Sequence, residues 1–251
     1  MTHPGGATAF EALVDDYDAA RPDYPPSLYA ALPDLDGRRV LEVGAGTGLA
    51  TRGLLAAGAD VVATDLGPRM LGRLHASLPA VPVAVARAEA LPFAAAAFDG
   101  VCAAQAWHWV DVEVAAAQAA RVLRPGGWLA VWWNEVDPAA GTPAFARAWD
   151  AQQQRLEAVN PRYSRHFRVR DYAAELRATG LFVEVSTWTG SWSRTLDWAR
   201  YERWLRSKSY VQALPDVEAF VGAERASLAG AFPDGRVVEP FSVPLTVAVL
   251  R

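Results

Sequence analysis

Apolar positions follow two rhythms along the first half of the chain. Short runs without polar alternation, Val40–Val43, Val61–Thr64, Val83–Ala86, Phe98–Ala103 and Trp128–Trp133, read as strands covered on both faces, as in a buried parallel sheet. Helical segments separate them. The clearest follows Asp111: Val112, Ala115, Ala116, Ala119, Val122 and Leu123 keep an i, i+3, i+4, i+7 spacing, Asp111 supplies an N-cap, and Arg124-Pro125-Gly126-Gly127 ends the helix. Strand and helix in alternation predict an α/β fold, a doubly wound, mostly parallel sheet with helices on both faces and right-handed crossovers.

Beyond Asn134-Glu135 the pattern lengthens. Thr142-Pro143 is an N-cap and N1 pair for a helix with the stripe Phe145, Trp149 and Leu156, closed by Asn160-Pro161. Asp171–Thr179, ended by Gly180, predicts another helix, and Leu181–Trp188 alternates as a strand. Residues 197–230 read as two helices, one presenting Trp198, Tyr201 and Leu205, the other Val217, Phe220, Val221, Glu224 and Leu228. Val243–Leu250 is the expected last strand, with Pro244 near its start, where a missing N–H is tolerable. At the other end, Arg21-Pro22 and Tyr24-Pro25-Pro26 stop one helix near Ala20 and let a second begin after Pro26. No repeat or linker divides the chain. The expectation is one domain over 1–251: an N-terminal lid at about 7–34, a core at about 35–134, and a helical cap with the final strands at about 135–251.

The candidate chemistry lies where strands end. Val40-Leu41-Glu42-Val43-Gly44-Ala45-Gly46-Thr47-Gly48-Leu49 reads as strand, tight turn, helix. Glycine there admits φ > 0 and close approach of a ligand to the backbone, and the helix behind presents unpaired N–H groups. A dinucleotide turn has G-x-G-x-x-G/A, but Leu49 stands at the third small position. Val61-Val62-Ala63-Thr64-Asp65 then ends a second strand in an acid about 20 residues on, placed to accept hydrogen bonds from a ribose diol.

Glu42-x-Gly44-x-Gly46-x-Gly48 together with Asp65 resembles the class I S-adenosylmethionine-dependent methyltransferases, which have a Rossmann-like seven-stranded sheet with a helical cap. Tyr17-x-x-x-Arg21-Pro22-x-Tyr24-Pro25 and Gln105-Ala106-x-His108-Trp109 resemble the small-molecule branch that includes the trans-aconitate type. The resemblance implies S-adenosyl-L-methionine as cofactor and a small-molecule acceptor. It places the cofactor on Glu42, Gly44, Ala45, Gly46 and Thr47 of the first turn and on Asp65, Leu66 and Met70 of the second. Ala88 and Glu89, in Arg87-Ala88-Glu89-Ala90-Leu91-Pro92-Phe93, lie against the adenine, with Arg87 a departure from many relatives. Gln105 completes the site, and Tyr17 and Arg21 reach the methionine end from the lid. His108 is the catalytic candidate, a base if the acceptor is a phenol, amine or carbon acid; a carboxylate acceptor needs none.

Composition narrows the classes. Lys plus Arg number 24 against 28 Asp plus Glu, so the chain lacks the basic footprint of a nucleic-acid binder. A single Cys, Cys102, excludes an internal disulfide and a Cys-based metal cluster, and four scattered His without a carboxylate cluster predict no metal. No apolar stretch reaches the roughly 18 residues of a membrane span, and a cytoplasmic protein, monomer or homodimer, is expected. The basic run Arg162, Arg165, His166, Arg168 and Arg170 is either a solvated loop or a surface for a carboxylate or phosphate. The expected activity is methyl transfer to a small molecule, most readily O-methylation of a carboxylate or hydroxyl. The alternatives are a nicotinamide-dependent oxidoreductase and an S-adenosylmethionine-binding protein without turnover.

Overall fold

The computed structural model describes residues 21–159 and 170–251. Its centre is a parallel array: β1 (Arg39–Val43), β2 (Asp60–Asp65), β3 (Val83–Val85), β4 (Phe98–Ala104) and β5 (Leu123–Trp132), in the order β3-β2-β1-β4-β5. Residues alternate between the two faces, and both faces are covered. Leu41, Val43, Val101, Ala103, Leu129 and Val131 pack on α4 (Val112–Val122), while Val40, Cys102, Ala130 and Trp132 pack on α1 (Pro26–Ala31) and α2 (Leu49–Ala56). The strand order reverses between β1 and β4. That is where such sheets open a crevice at the carboxyl ends of the strands. The remaining core helix, α3 (Pro68–Ser77), begins after the β2 turn.

The sheet continues antiparallel. β8 (Arg236–Leu250) pairs with β5 on one edge and with β7 (Phe182–Asp197) on the other. β6 (Glu135–Val136) pairs with Phe241 and Ser242 of β8 in the register already set by Trp132↔Leu245, so it resumes β5 after a gap at Trp133 and Asn134. The expected seven-stranded layout is therefore kept, with the β5 position split into two strands.

Both β7 and β8 are longer than the residue pattern predicts. β7 runs on past the expected end at Trp188 and through Gly190, whose missing side chain makes room for the Trp188 ring. Pro244 lies well inside β8, not near its start. It sits opposite Trp133, whose N–H donates to the Pro244 carbonyl at 3.2 Å. A proline offers no N–H in return, and the ladder lapses there. The cap holds α5 (Pro143–Val159), α6 (Tyr172–Ala178), α7 (Trp198–Arg206), α8 (Ser209–Gln212) and α9 (Val217–Ala231). Where two helices were expected over 197–230 there are three, because α7 stops at Ser207 and Pro215-Asp216 must restart the chain, with Asp216 capping α9 through Ala219 N.

Candidate active site

Three glycines shape the floor of the crevice. Gly44, Gly46 and Gly48 have φ of +71°, +56° and +89°, a region costly for a residue with a Cβ. At Gly44 an added Cβ would collide with the Ala106 Cβ, so the loops after β1 and β4 meet there. At Gly46 a Cβ would meet nothing within 4 Å and would project into open space, which a ligand can fill. The turn is held by Gly44 N–H and Ala45 N–H, both donating to the Thr64 carbonyl. Arg21, Glu42, Gly44 to Thr47, Leu49 and Gln105 line this cleft, with Pro22 and Tyr24 closing it from the N-terminal side.

Two carboxylates stand at the carboxyl ends of β1 and β2. Asp65 accepts from Gly46 N at 2.8 Å and from Gly67 N at 2.7 Å, one bond to each carboxylate oxygen. It thereby ties the β1 turn to the β2 turn at the edge of the crevice. Glu42 is 1% exposed and accepts from the Thr51 hydroxyl at 2.6 Å. Burial pushes its carboxyl up to about 8, with Asp65 adding repulsion and the Thr51 bond opposing.

The gap between β5 and β6 organises the opposite wall. Asn134 accepts from the Trp192 indole at 3.0 Å, donates to the Asp23 carbonyl at 2.9 Å, and through its own carbonyl accepts from the Gln105 side chain at 3.3 Å. Gln105 has φ +55°, a strained setting for a side chain of its size, held by its N–H on the Trp132 carbonyl. Trp133 stacks on Tyr172 at 4.1 Å and donates its indole N–H to His108 Nδ1 at 3.3 Å. An indole nitrogen only donates. His108 Nδ1 is therefore the acceptor, and the neutral ring carries its proton on Nε2. Residue patterns missed Trp133 and Asn134. The signal was there, since a polar residue directly after an apolar strand lies at the carboxyl end where ligands sit.

The other expected site residues are dispersed. Arg21 lines the cleft and donates to the Ser207 carbonyl at 3.2 Å, while Tyr17 lies outside the described residues. Thr47 is buried in the turn, Leu66 is 45% exposed beyond Asp65, and Met70 is buried on α3. Ala88 is buried, and Glu89 accepts from Asp111 N at 3.0 Å, which ties the segment after β3 to the start of α4. Arg87 points outward within 3.6 Å of Glu89. Of the basic run only Arg170 is described, and it is paired with Glu175 beside Tyr172. Among the described residues no cluster of His, Cys, Asp and Glu is grouped to hold a metal, and no helix is long and apolar enough to cross a membrane.

Comparison with known proteins agrees with this geometry. A family profile described as a methyltransferase domain matches residues 41–131. An uncharacterised methyltransferase of Mycobacterium tuberculosis is 45% identical over 133 residues, 53% of this chain and 55% of the relative. The chain thus spans about half the length of the first curated relatives it matches. A malonyl-[acyl-carrier protein] O-methyltransferase of Pseudescherichia vulneris is 33% identical over 191 residues, 74% of this chain and 69% of that protein. Among solved structures, a proposed type II methyltransferase from Anaeromyxobacter dehalogenans shares the fold with a TM-score of 0.71 at 24% identity, over 92% of this chain and 97% of the other. A Haemonchus contortus phosphoethanolamine N-methyltransferase, solved with S-adenosyl-L-methionine, shares it with a TM-score of 0.54 at 18% identity, over 99% of this chain and 61% of the other. The glycine turn, the acid at the end of β2 and these relatives together show that the chain belongs to the class I methyltransferases, the family whose cofactor is S-adenosyl-L-methionine.

Proposed function

We propose that this protein transfers a methyl group from S-adenosyl-L-methionine to an oxygen of a small-molecule acceptor. The observation that carries the reading is the pairing of an open Cβ direction at Gly46 with an Asp65 carboxylate fixed on Gly46 N and Gly67 N. In this reading Gly46 N and Gly67 N hold the Asp65 carboxylate in place at the end of β2, and the bound ribose hydroxyls donate to it. Gly44, Ala45 and Gly46 let the adenosyl group lie close to the backbone. Ala88 and Glu89 border the adenine, with Leu66 and Met70 beside it, and Glu42, Thr47, Arg21 and Gln105 surround the methionine end. The cofactor supplies an electrophilic methyl on sulfur. The protein's task is alignment of acceptor, methyl and sulfur, a contribution that can reach roughly 7–11 kcal/mol.

His108 takes a different part from that of a base. With Nδ1 accepting from the Trp133 indole, the ring carries its proton on Nε2, and in this reading that N–H turns to an oxygen of the acceptor when it binds. A carboxylate acceptor suits this arrangement, since it is ionised at neutral pH and gives up no proton. The O-methyltransferase among the relatives points the same way. Leu49, the first residue of α2, stands where a pyrophosphate turn has its third Gly or Ala and speaks against a nicotinamide dinucleotide.

The test is incubation of the full chain with methyl-labelled S-adenosyl-L-methionine and a panel of small carboxylic acids, phenols and amines. Label in an alkali-labile ester is the expected product. Donor binding without transfer to any acceptor would instead favour a binding protein, and label found only on nitrogen would overturn the choice of oxygen.

A further inference from the structure

The chain's 24 basic residues include a single lysine, Lys208, and it is only 6% exposed. Its ammonium lies 3.3 Å from the centre of the Trp204 ring on α7, with Tyr210 of α8 at 5.6 Å and Trp149 of α5 at 5.8 Å. It makes no hydrogen bond or ion pair with another described side chain. Rings stabilise a cation through their faces but accept none of its three N–H bonds in the manner of an oxygen. Of the buried carboxylates around it, Glu224 accepts from Gln152 at 2.7 Å and from Arg155, and Glu239 accepts from Arg194 at 2.8 Å through Oε2, its Oε1 making no hydrogen bond to a described residue; neither carboxylate forms an ion pair with Lys208. Burial pushes the amine down to about 7, with Arg21 and Arg194 adding repulsion and Glu239 opposing.

Lys208 is joined to the cleft wall through its chain neighbour. The carbonyl of Ser207, its chain neighbour, accepts from Arg21, which lines the cleft beside Gly46 and Gln105. An ammonium is a compact point charge with three rotatable donors, where a guanidinium is a planar fork. In a chain that otherwise uses arginine throughout, that difference gives the lone lysine a reason.

We propose that Lys208, boxed by Trp149, Trp204 and Tyr210, anchors the acceptor by an oxyanion, a carboxylate or phosphate, carried away from the atom that is methylated. The rings then pack the apolar body next to that anion. This assignment rests on the methyl-transfer reading above and names the acceptor class for the same site.

A single lysine allows a single-signal experiment. Wild-type protein labelled at lysine Cε and Nζ is titrated with sodium acetate, sodium phosphate or acetamide at constant ionic strength, without methyl donor. A saturable shift of the one lysine resonance with acetate or phosphate, absent with acetamide, is expected, and the stronger of the two identifies the anion. No saturable shift with either anion, or an equal shift with acetamide, overturns the proposal. In the labelled-methyl assay, wild type should prefer acceptors with a second anionic group over their amides by roughly 100-fold, the scale of a buried charge contact, and Lys208→Met should erase that preference while donor affinity stays within about twofold. A preference that survives Lys208→Met overturns it as well. If the variant does not fold, the wild-type titration decides. Donor calorimetry separates the two readings: a chain that binds no S-adenosyl-L-methionine loses the methyl-transfer reading whatever the lysine does, whereas bound donor with a silent lysine removes this proposal alone.

Discussion

The crevice at β1 and β4 and the cap above it are built from different materials. In the crevice the ligand-facing surface is mostly backbone: three left-handed glycines, two loop amides on the Thr64 carbonyl, and Asp65 clamping two more. Its partners are close in sequence, Asp65 being 19 residues from Gly46. In the cap, and where it meets β7 and β8, the polar groups are long side chains meeting across 45 to 72 residues, as in Arg194 of β7 with Glu239 of β8 and Gln152 of α5 with Glu224 of α9, beside a core that holds Phe145, Tyr201, Trp204 and Leu228. The contrast teaches that one face can be fixed for a shared cofactor while the other is free to diverge with the acceptor.

The contrast breaks most sharply at Arg194. Glu239 is fully buried and leans on that guanidinium, so Arg194→Met leaves a buried carboxylate without its cation, a change that costs about 3–5 kcal/mol. Denaturant unfolding should show this loss while calorimetry finds donor affinity within about twofold of wild type. A comparable loss of donor affinity would mean that cap and crevice are not separable.

Asp65→Ala attacks the other side. It removes the acceptor for Gly46 N and Gly67 N as well as the proposed ribose contact, and should weaken donor binding by about 30- to 100-fold, the size expected for lost hydrogen bonds to a charged group. Unchanged affinity would misassign the residue.

Glu42 sharpens the comparison through pH. Its carboxyl titrates at about 8 in the folded protein against an ordinary value of 4.5, so between those values the folded chain holds a proton that the unfolded chain has released. Stability should therefore decline as pH rises from about 4.5 and level off above about 8. Glu42→Gln keeps an oxygen for the Thr51 hydroxyl and should flatten that decline. A slope unchanged in the variant would remove Glu42 as its source.

The smallest effect is expected at His108. If it works as a donor, His108→Gln, which retains an N–H, should keep most of the turnover that His108→Ala loses. Trp133→Phe should lower kcat/KM by about 3- to 10-fold, the worth of one neutral hydrogen bond. Glutamine as damaging as alanine, with a rate that follows an ionisation lost in both, would restore the base.

Legibility followed the same division. Strands β1 to β5, the Asp111 cap and the glycine turn could be read because each depends on neighbouring residues, and Asp111 does accept from Val114 N. The stripe Phe145, Trp149 and Leu156 was also legible, but its polar member Gln152 makes sense only with Glu224 of α9 against it. The lengths of β7 and β8 depend on each other, and no local pattern shows that Pro244 faces the gap at Trp133 or that Gly190 shelters Trp188. Glu89, read as an adenine contact, also holds Asp111 N, a tie between two loops invisible in either stretch alone.

The account rests on the crevice receiving an adenosyl group, and a crystal structure of the protein with S-adenosylhomocysteine tests this most directly. The predicted result is a ribose whose hydroxyls donate to Asp65, with adenine beside Ala88 and the thioether turned toward Gln105. An adenosyl group bound elsewhere, or a nicotinamide dinucleotide taking the glycine turn in competition, would contradict it.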